Sequence, residues 1–306
     1  MQKTFLFTAL FFTCSFASAQ ISMVIGDGGF LFKEGGDSIC FYQRSPKSLN
    51  GEYSRCNYFH PLYGLDGAVL TEDFPEDHPH HRGIFWSWHQ VLIDGQSMGD
   101  PWMLENFIQK VKNVQFEQLR NGDATFNTEV YWMSPLYKNG KEAYLKEQSK
   151  TYFFLKEKNL RRIDFEITLS ALTDKVQLGG SNDEKGYGGF SVRLRLPEDV
   201  MFRCEENIVS PEVIAVSVGA CVDISGSMGK NNSYAGAAII CDENNPGFPQ
   251  SWILRKEKSM QNVVYPGKKP VDLLVGEPLV LKYSILVHDK EISKRAILKE
   301  GKKPGN

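Results

Sequence analysis

The stretch Ile163-Asp164-Phe165-Glu166-Ile167-Thr168-Leu169-Ser170-Ala171 places an apolar side chain at every second position and a polar one between. Successive side chains of an extended chain point to opposite faces, so this is a strand with one dry and one wet side. Ala124, Phe126, Thr128, Val130 and Trp132 repeat the pattern, as do Val192, Leu194 and Leu196 against Ser191, Arg193 and Arg195. Further strand-like runs cover residues 23–25, 30–32, 39–42, 84–93, 111–119, 151–155, 213–218, 235–241 and 279–287. They are punctuated by turn signals such as Asn121-Gly122-Asp123, Asn139-Gly140 and Pro246-Gly247. Helical spacing is confined to residues 102–109 and the tail 291–300. So few helices cannot cover a parallel sheet, and the expected fold is all-β, a large two-sheet antiparallel sandwich. No linker, repeat or composition shift divides residues 20–306, which read as one domain.

Composition narrows the function. The 306 residues are 42% hydrophobic and 24% charged, with 35 Lys and Arg against 37 Asp and Glu, a formal charge of −2. That balance offers no basic face to a nucleic acid and is too apolar for a disordered chain. Residues 1–19 read as a signal peptide: Lys3, an apolar run, then Ala17-Ser18-Ala19 before cleavage ahead of Gln20. No later stretch is apolar for long enough to span a membrane, so the expected product is exported, periplasmic or secreted. Beyond residue 19 stand Cys40, Cys56, Cys204, Cys221 and Cys241, an odd number without a C-x-x-C pair. Buried thiols with at most a bridge or two is the expectation, with the pairing open.

Histidine carries the chemical signal. Five of six histidines, His60, His78, His80, His81 and His89, lie within thirty residues, three of them in Asp77-His78-Pro79-His80-His81-Arg82-Gly83. Trp86, Trp88 and Trp102 follow closely. Imidazole titrates near neutrality, so such a cluster suits proton transfer, metal ligation or polar binding. In the run after the loop, Phe85, Ser87 and His89 share one strand face and Ile84, Trp86, Trp88 and Gln90 the other. The loop histidines therefore meet His89 only on the Phe85 side. Acid–base use needs no cofactor. The alternative is a divalent metal on His78, His80 and Glu105, although the spacing matches no zinc helix. Asp183 to Gly189 is glycine-rich and precedes the strand carrying Arg193. It reads either as a hairpin turn with surface charges or as a ligand loop that supplies a general base. Asp223-Ile224-Ser225-Gly226-Ser227 matches the opening of a von Willebrand A metal site, but the following residues read as strands, so that reading is set aside.

Tyr58-Phe59-His60-Pro61-Leu62 and Thr71-Glu72-Asp73-Phe74-Pro75-Glu76-Asp77-His78-Pro79-His80-His81-Arg82-Gly83-Ile84-Phe85-Trp86 resemble the hallmark of the PmoA-like family of exported proteins of unknown function. Glu184 to Phe190 through Arg193, Asp223 to Gly226, and Asp242-Glu243-Asn244-Asn245-Pro246 fit the same pattern, with Cys221 where the family tends to carry Trp. The resemblance implies a galactose mutarotase-like supersandwich and a setting near carbohydrate degradation. It also makes Glu184 and Arg193 pocket residues. Membrane methane oxygenation is excluded by the lack of spanning segments. The resulting expectation is an exported carbohydrate-active enzyme of epimerase, lyase or hydrolase type. His80 or His81 would act as acid and Glu184 or another histidine as base. His60, His78, Arg82, Trp86, Trp88, His89 and Arg193 would hold a small-molecule or oligosaccharide substrate. The alternatives are a non-catalytic carbohydrate-binding protein and a metal-dependent enzyme.

Overall fold

The computed structural model describes residues 20–204 and 207–301. The expected signal peptide and its cleavage site lie outside the described residues on their N-terminal side. The described chain is nearly all β, as the alternation requires, and its strands form two large antiparallel sheets with a sandwich-like arrangement. The first runs in the order Ile21–Gly26, Gly29–Glu34, Asp37–Gln43, Tyr58–Leu62, Ile84–Ser87, Gly189–Val192, Gln261–Val263 and Trp252–Ile253. The second contains the long strands Ile108–Gln118, Ala124–Met133, Ala143–Phe153, Leu160–Ala171 and Leu279–His288. It continues through Ala235–Cys241 and Cys221–Gly226 to Met201–Cys204 and Asn207–Ile208.

Aromatic side chains fill the space between the sheets. Phe32 stacks on Phe153 at 4.4 Å, Phe59 meets Phe165 edge-on at 5.5 Å, and Phe190 stacks on Tyr283 at 4.5 Å. Each pair joins one sheet to the other, in the offset and edge-to-face geometries that ring quadrupoles favour. The expected inward residues of the opening stretch, Ile163, Phe165, Ile167, Leu169 and Ala171, are all buried, while Asp164, Glu166, Thr168 and Ser170 are half-exposed. A second, smaller apolar cluster of Tyr58, Phe85, Trp102, Ile253, Met260 and Val264 covers the opposite face of the first sheet.

Three local expectations differ from what forms. Residues 102–109 are turns leading into the strand Ile108–Gln118, because Trp102 is buried under the second cluster instead of repeating along a helix. Residues 213–218 make only a bridge between Val216 and Trp252. The run 84–93 is two strands, Ile84–Ser87 and Gln90–Ile93, belonging to different sheets. The tail does form a helix, Lys294–Gly301. All five described cysteines are buried, and Cys40, Cys56 and Cys241 are free thiols that burial pushes well above the usual range, the last two to about 11.

Gly83 joins the histidine loop to the first sheet. A Cβ there would stand 2.1 Å from the Phe59 carbonyl oxygen, on the neighbouring strand. Gly83→Ala is therefore expected to lower folding stability by about 1–3 kcal/mol, measured by urea denaturation. An unchanged midpoint would show that this close approach does not exist.

Candidate functional site

The histidine loop is held by its neighbours' backbone before any side chain acts. Arg193 N–H donates to the Gly83 carbonyl at 2.7 Å and Glu72 N–H to the Arg193 carbonyl at 2.9 Å, so residue 193 is zipped between both ends of the loop. Its guanidinium, 3% exposed, then donates from Nε to Glu72 Oε2 at 2.7 Å and makes a two-point contact with Asp77, at 2.8 and 3.0 Å. The third contact is Nη1 to His81 Nδ1 at 3.4 Å. The expected substrate-holding Arg193 is thus fully engaged inside the protein, and its work is positioning the loop. Arg82 is likewise enclosed. It donates to the Pro79, His81 and Tyr53 carbonyls, pairs with Asp73 at 3.4 Å and lies 3.5 Å from the Phe74 ring. Neither arginine presents a donor to a ligand.

Strand parity decides the rest. Trp86 and Trp88 point into the space between the sheets, 2% and 0% exposed, and Trp88 Nε1 donates to the Tyr265 carbonyl. These two expected stacking surfaces are core residues. Phe85 faces the other way, and there the histidines gather. His78 stacks on His81 at 4.7 Å, His80 meets His81 edge-on at 4.5 Å, and His81 meets Trp102 edge-on at 5.9 Å. His89 stacks on Trp102 at 5.4 Å, and Phe85 lies beneath Trp102 at 5.3 Å. The convergence of the loop histidines with His89 on the Phe85 face, conditional in the sequence, is what the fold produces. His60 sits apart, hydrogen-bonded through Nδ1 to Thr71 Oγ1 at 3.0 Å.

The glycine-rich loop contributes a residue the sequence reading passed over. Glu184 is exposed on its turn, while Tyr187 meets His89 edge-on at 4.8 Å and Trp102 at 5.0 Å. Asp183 builds the turn, accepting from Ser181 Oγ and from the Lys185 and Gly186 N–H groups, which hold its carboxyl below the usual range despite some burial. Gly186 has φ +58° and packs against the Lys268 backbone, so the turn admits no side chain there. A tyrosine within a glycine-rich run is a signal for such a loop only when its partner is known.

The imidazoles differ in their electrostatic surroundings. Burial holds His80 at about 4, with His78 and Arg55 adding to the effect, and holds His81 well below its usual range. His60 is also held at about 4 by burial. These imidazoles are neutral at physiological pH, so His80 and His81 have no proton to release as general acids, contrary to the sequence expectation. His89 differs. Its Nδ1 lies 2.7 Å from Asp100 Oδ2, and Asp100 Oδ1 also accepts the Met103 N–H. A carboxylate accepts, so Nδ1 carries a hydrogen and Nε2 is the ring nitrogen turned away from Asp100. That Nε2 is buried without a partner. Among the described residues no group of three His, Cys, Asp or Glu side chains is placed to share an ion, and Glu105 is exposed, so His78, His80 and Glu105 do not assemble as ligands.

Two further polar features lie elsewhere. Glu147, fully buried between the sheets, accepts from Asn57 at 2.7 Å and Trp132 at 2.8 Å, and burial pushes it up to about 7. A cavity of about 620 Å³ opens on the outer face of the second sheet, between Tyr152, Asp164, Asp242 and Lys282. Its wall carries the pairs Arg162–Asp164 and Lys282–Glu166 together with Asp242 and Glu243, and none of the expected site residues lines it.

Residues 31–300 match the model of a family described only as a family of unknown function, DUF6807. The chain belongs to that family. No curated protein matches the chain. No described helix is long and apolar enough to cross a membrane.

The neutral histidines give the site a pH signature. His60 and His80 titrate near 4 when folded and near 6.5 when unfolded, so between these values the unfolded chain binds more protons. Stability is therefore unaffected by these groups above about pH 6.5 and is lost as the pH falls from there towards 4. Imidazole proton resonances should show both midpoints near 4, and midpoints near 6.5 would contradict the burial described.

Proposed function

We propose that this protein is an exported carbohydrate-active enzyme in which the Asp100–His89 pair is the general base. The observation that supports the reading is the buried, unpartnered His89 Nε2, whose ring is fixed by Asp100 on one edge and by the Trp102 indole on its face. A carboxylate that fixes the tautomer and stabilises the imidazolium formed on proton uptake is a recurrent device of acid–base catalysis. The complementary acid is Tyr187, whose phenol burial holds above its usual range and therefore protonated at neutral pH. Neutral His80 and His81 contribute hydrogen bonds instead of protons. With Arg193 bonded to His81 Nδ1, the N–H of that ring is on Nε2.

A base and a protonated phenol whose rings touch suit proton transfer between sugar hydroxyls or at a carbon beside a carbonyl. That covers epimerisation and elimination more directly than hydrolysis, which asks for two carboxyl groups about the glycosidic bond. The carbohydrate class rests on the resemblance to galactose mutarotase-like sandwiches and on the export signal. A stacking-only binding site is disfavoured, because the indoles of Trp86, Trp88 and Trp102 are buried.

Proton NMR of purified protein incubated with pooled sugars, uronic acids and oligosaccharides tests the proposal. New resonances should grow in with the native chain, and His89→Gln, which keeps the shape but not the base, should slow them by about a hundredfold or more. Turnover that survives the substitution would overturn the role of His89.

A further inference from the structure

Among the described residues, five arginines are buried, and four have a carboxylate partner: Arg82 with Asp73, Arg161 with Glu34, Arg162 with Asp164, and Arg193 with Glu72 and Asp77. Arg55 is the exception. It is 2% exposed, and its Nη2 donates to the Pro101 carbonyl at 2.7 Å, with Ser87 Oγ and the Trp102 carbonyl at 3.5 Å. These partners are neutral. Its Nε–H has no acceptor at all. The guanidinium lies 5.1 Å from the Phe85 ring, under the same aromatic cluster that carries the histidines.

An ionised group taken out of water without a counterion is the costly form of burial, and proteins ordinarily pair it. Burial and the neighbouring Arg82 lower the affinity of Arg55 for its proton, to about 9, which still leaves it a cation at neutral pH. A second unsatisfied donor of the cluster belongs to a residue that Arg55 touches. Trp102 Nε1–H is buried without an acceptor, and Trp102 is the residue whose carbonyl Arg55 approaches. Asp100 gives Arg55 some coulombic support, but no carboxylate among the described residues forms an ion pair with it: Asp100 is occupied by His89 and the Met103 N–H, Asp73 by Arg82 and Lys47, and Asp77 by Arg193 and His78. His80 and His81, held in the neutral form, add no positive charge of their own. One unmatched cation and a donor without an acceptor are thus set beside the general base.

We infer that the ligand of this site bears a carboxylate, seated on Arg55 and the Trp102 indole N–H, so that the substrate class is an acidic sugar of the uronic acid type. The sugar part of this assignment rests on the function proposed above; the anionic part rests on Arg55. Guanidinium is suited to the task because its planar fork matches a carboxylate and stays charged in a dry site. Trp102 is carried by the turn from Asp100 to Glu105, which is closed on itself by two backbone hydrogen bonds of 2.8 and 2.9 Å.

Calorimetric titration of the full chain with D-glucuronate and D-galacturonate, against D-glucose and D-galactose at matched ionic strength, tests the inference. At least one acidic sugar is expected to bind about tenfold or more tightly than its neutral counterpart. In Arg55→Gln the preference should fall to within about threefold. Trp102→Phe, which removes the indole N–H and keeps an aromatic ring, should weaken the acidic sugar alone and carries the test if the arginine variant does not fold. Equal binding of neutral and acidic sugars, or a preference that survives both substitutions, overturns the anionic assignment while leaving His89-dependent turnover of neutral sugars intact. Failure of both sugar classes to bind overturns both readings.

Discussion

The grip of Arg193 on Glu72 and Asp77 is the interaction on which the site depends. A buried guanidinium must be paired, and here its two carboxylates both belong to the segment that carries the histidines. Satisfying the charge therefore folds the segment down onto the first sheet. The same residue contributes its backbone N–H and carbonyl to the segment's two ends. The loop has few apolar residues of its own to bury, so this polar clamp supplies what a hydrophobic anchor would elsewhere. Asp77 extends the effect outward by accepting from His78 at 2.6 Å, which fixes the ring that stacks on His81.

The strand Ile84–Ser87 divides the molecule into a mechanical and a chemical side. Ile84 and Trp86 pack among the aromatic residues between the sheets, and that packing stabilises the fold. Phe85 on the other face supports Trp102, and Trp102 in turn supports His81, His89 and Tyr187. A site built on such a rigid floor holds its base in one orientation without substrate. Arg55 Nε, Trp102 Nε1 and His89 Nε2 are among the buried atoms that this arrangement leaves without a hydrogen-bond partner.

Strand alternation made the sheets readable, and it also made the gathering of histidines on the Phe85 face readable. What it could not convey was which arginines are spent internally. Arg82, Arg193 and Arg55 look alike in sequence, and of the three only Arg55 has no ion pair with a carboxylate. The tryptophans were misjudged for a related reason: proximity in sequence to histidines says nothing about parity, and Trp86 and Trp88 occupy the opposite face from His89. Glu147 escaped notice because the inward face of Ala143–Phe153 reads Leu145, Glu147, Ser149, Thr151 and Phe153, three polar residues where an apolar period was sought. The helix expected at residues 102–109 failed because burial of Trp102 outweighed local spacing.

The account turns on one proton. Nitrogen-15 NMR of histidine-labelled protein reads the tautomer of His89 directly, since protonated and bare ring nitrogens resonate far apart. The hydrogen is expected on Nδ1, facing Asp100, with loss of that preference in Asp100→Asn. A ring protonated on Nε2 instead, or one unchanged by the Asp100 substitution, would contradict it.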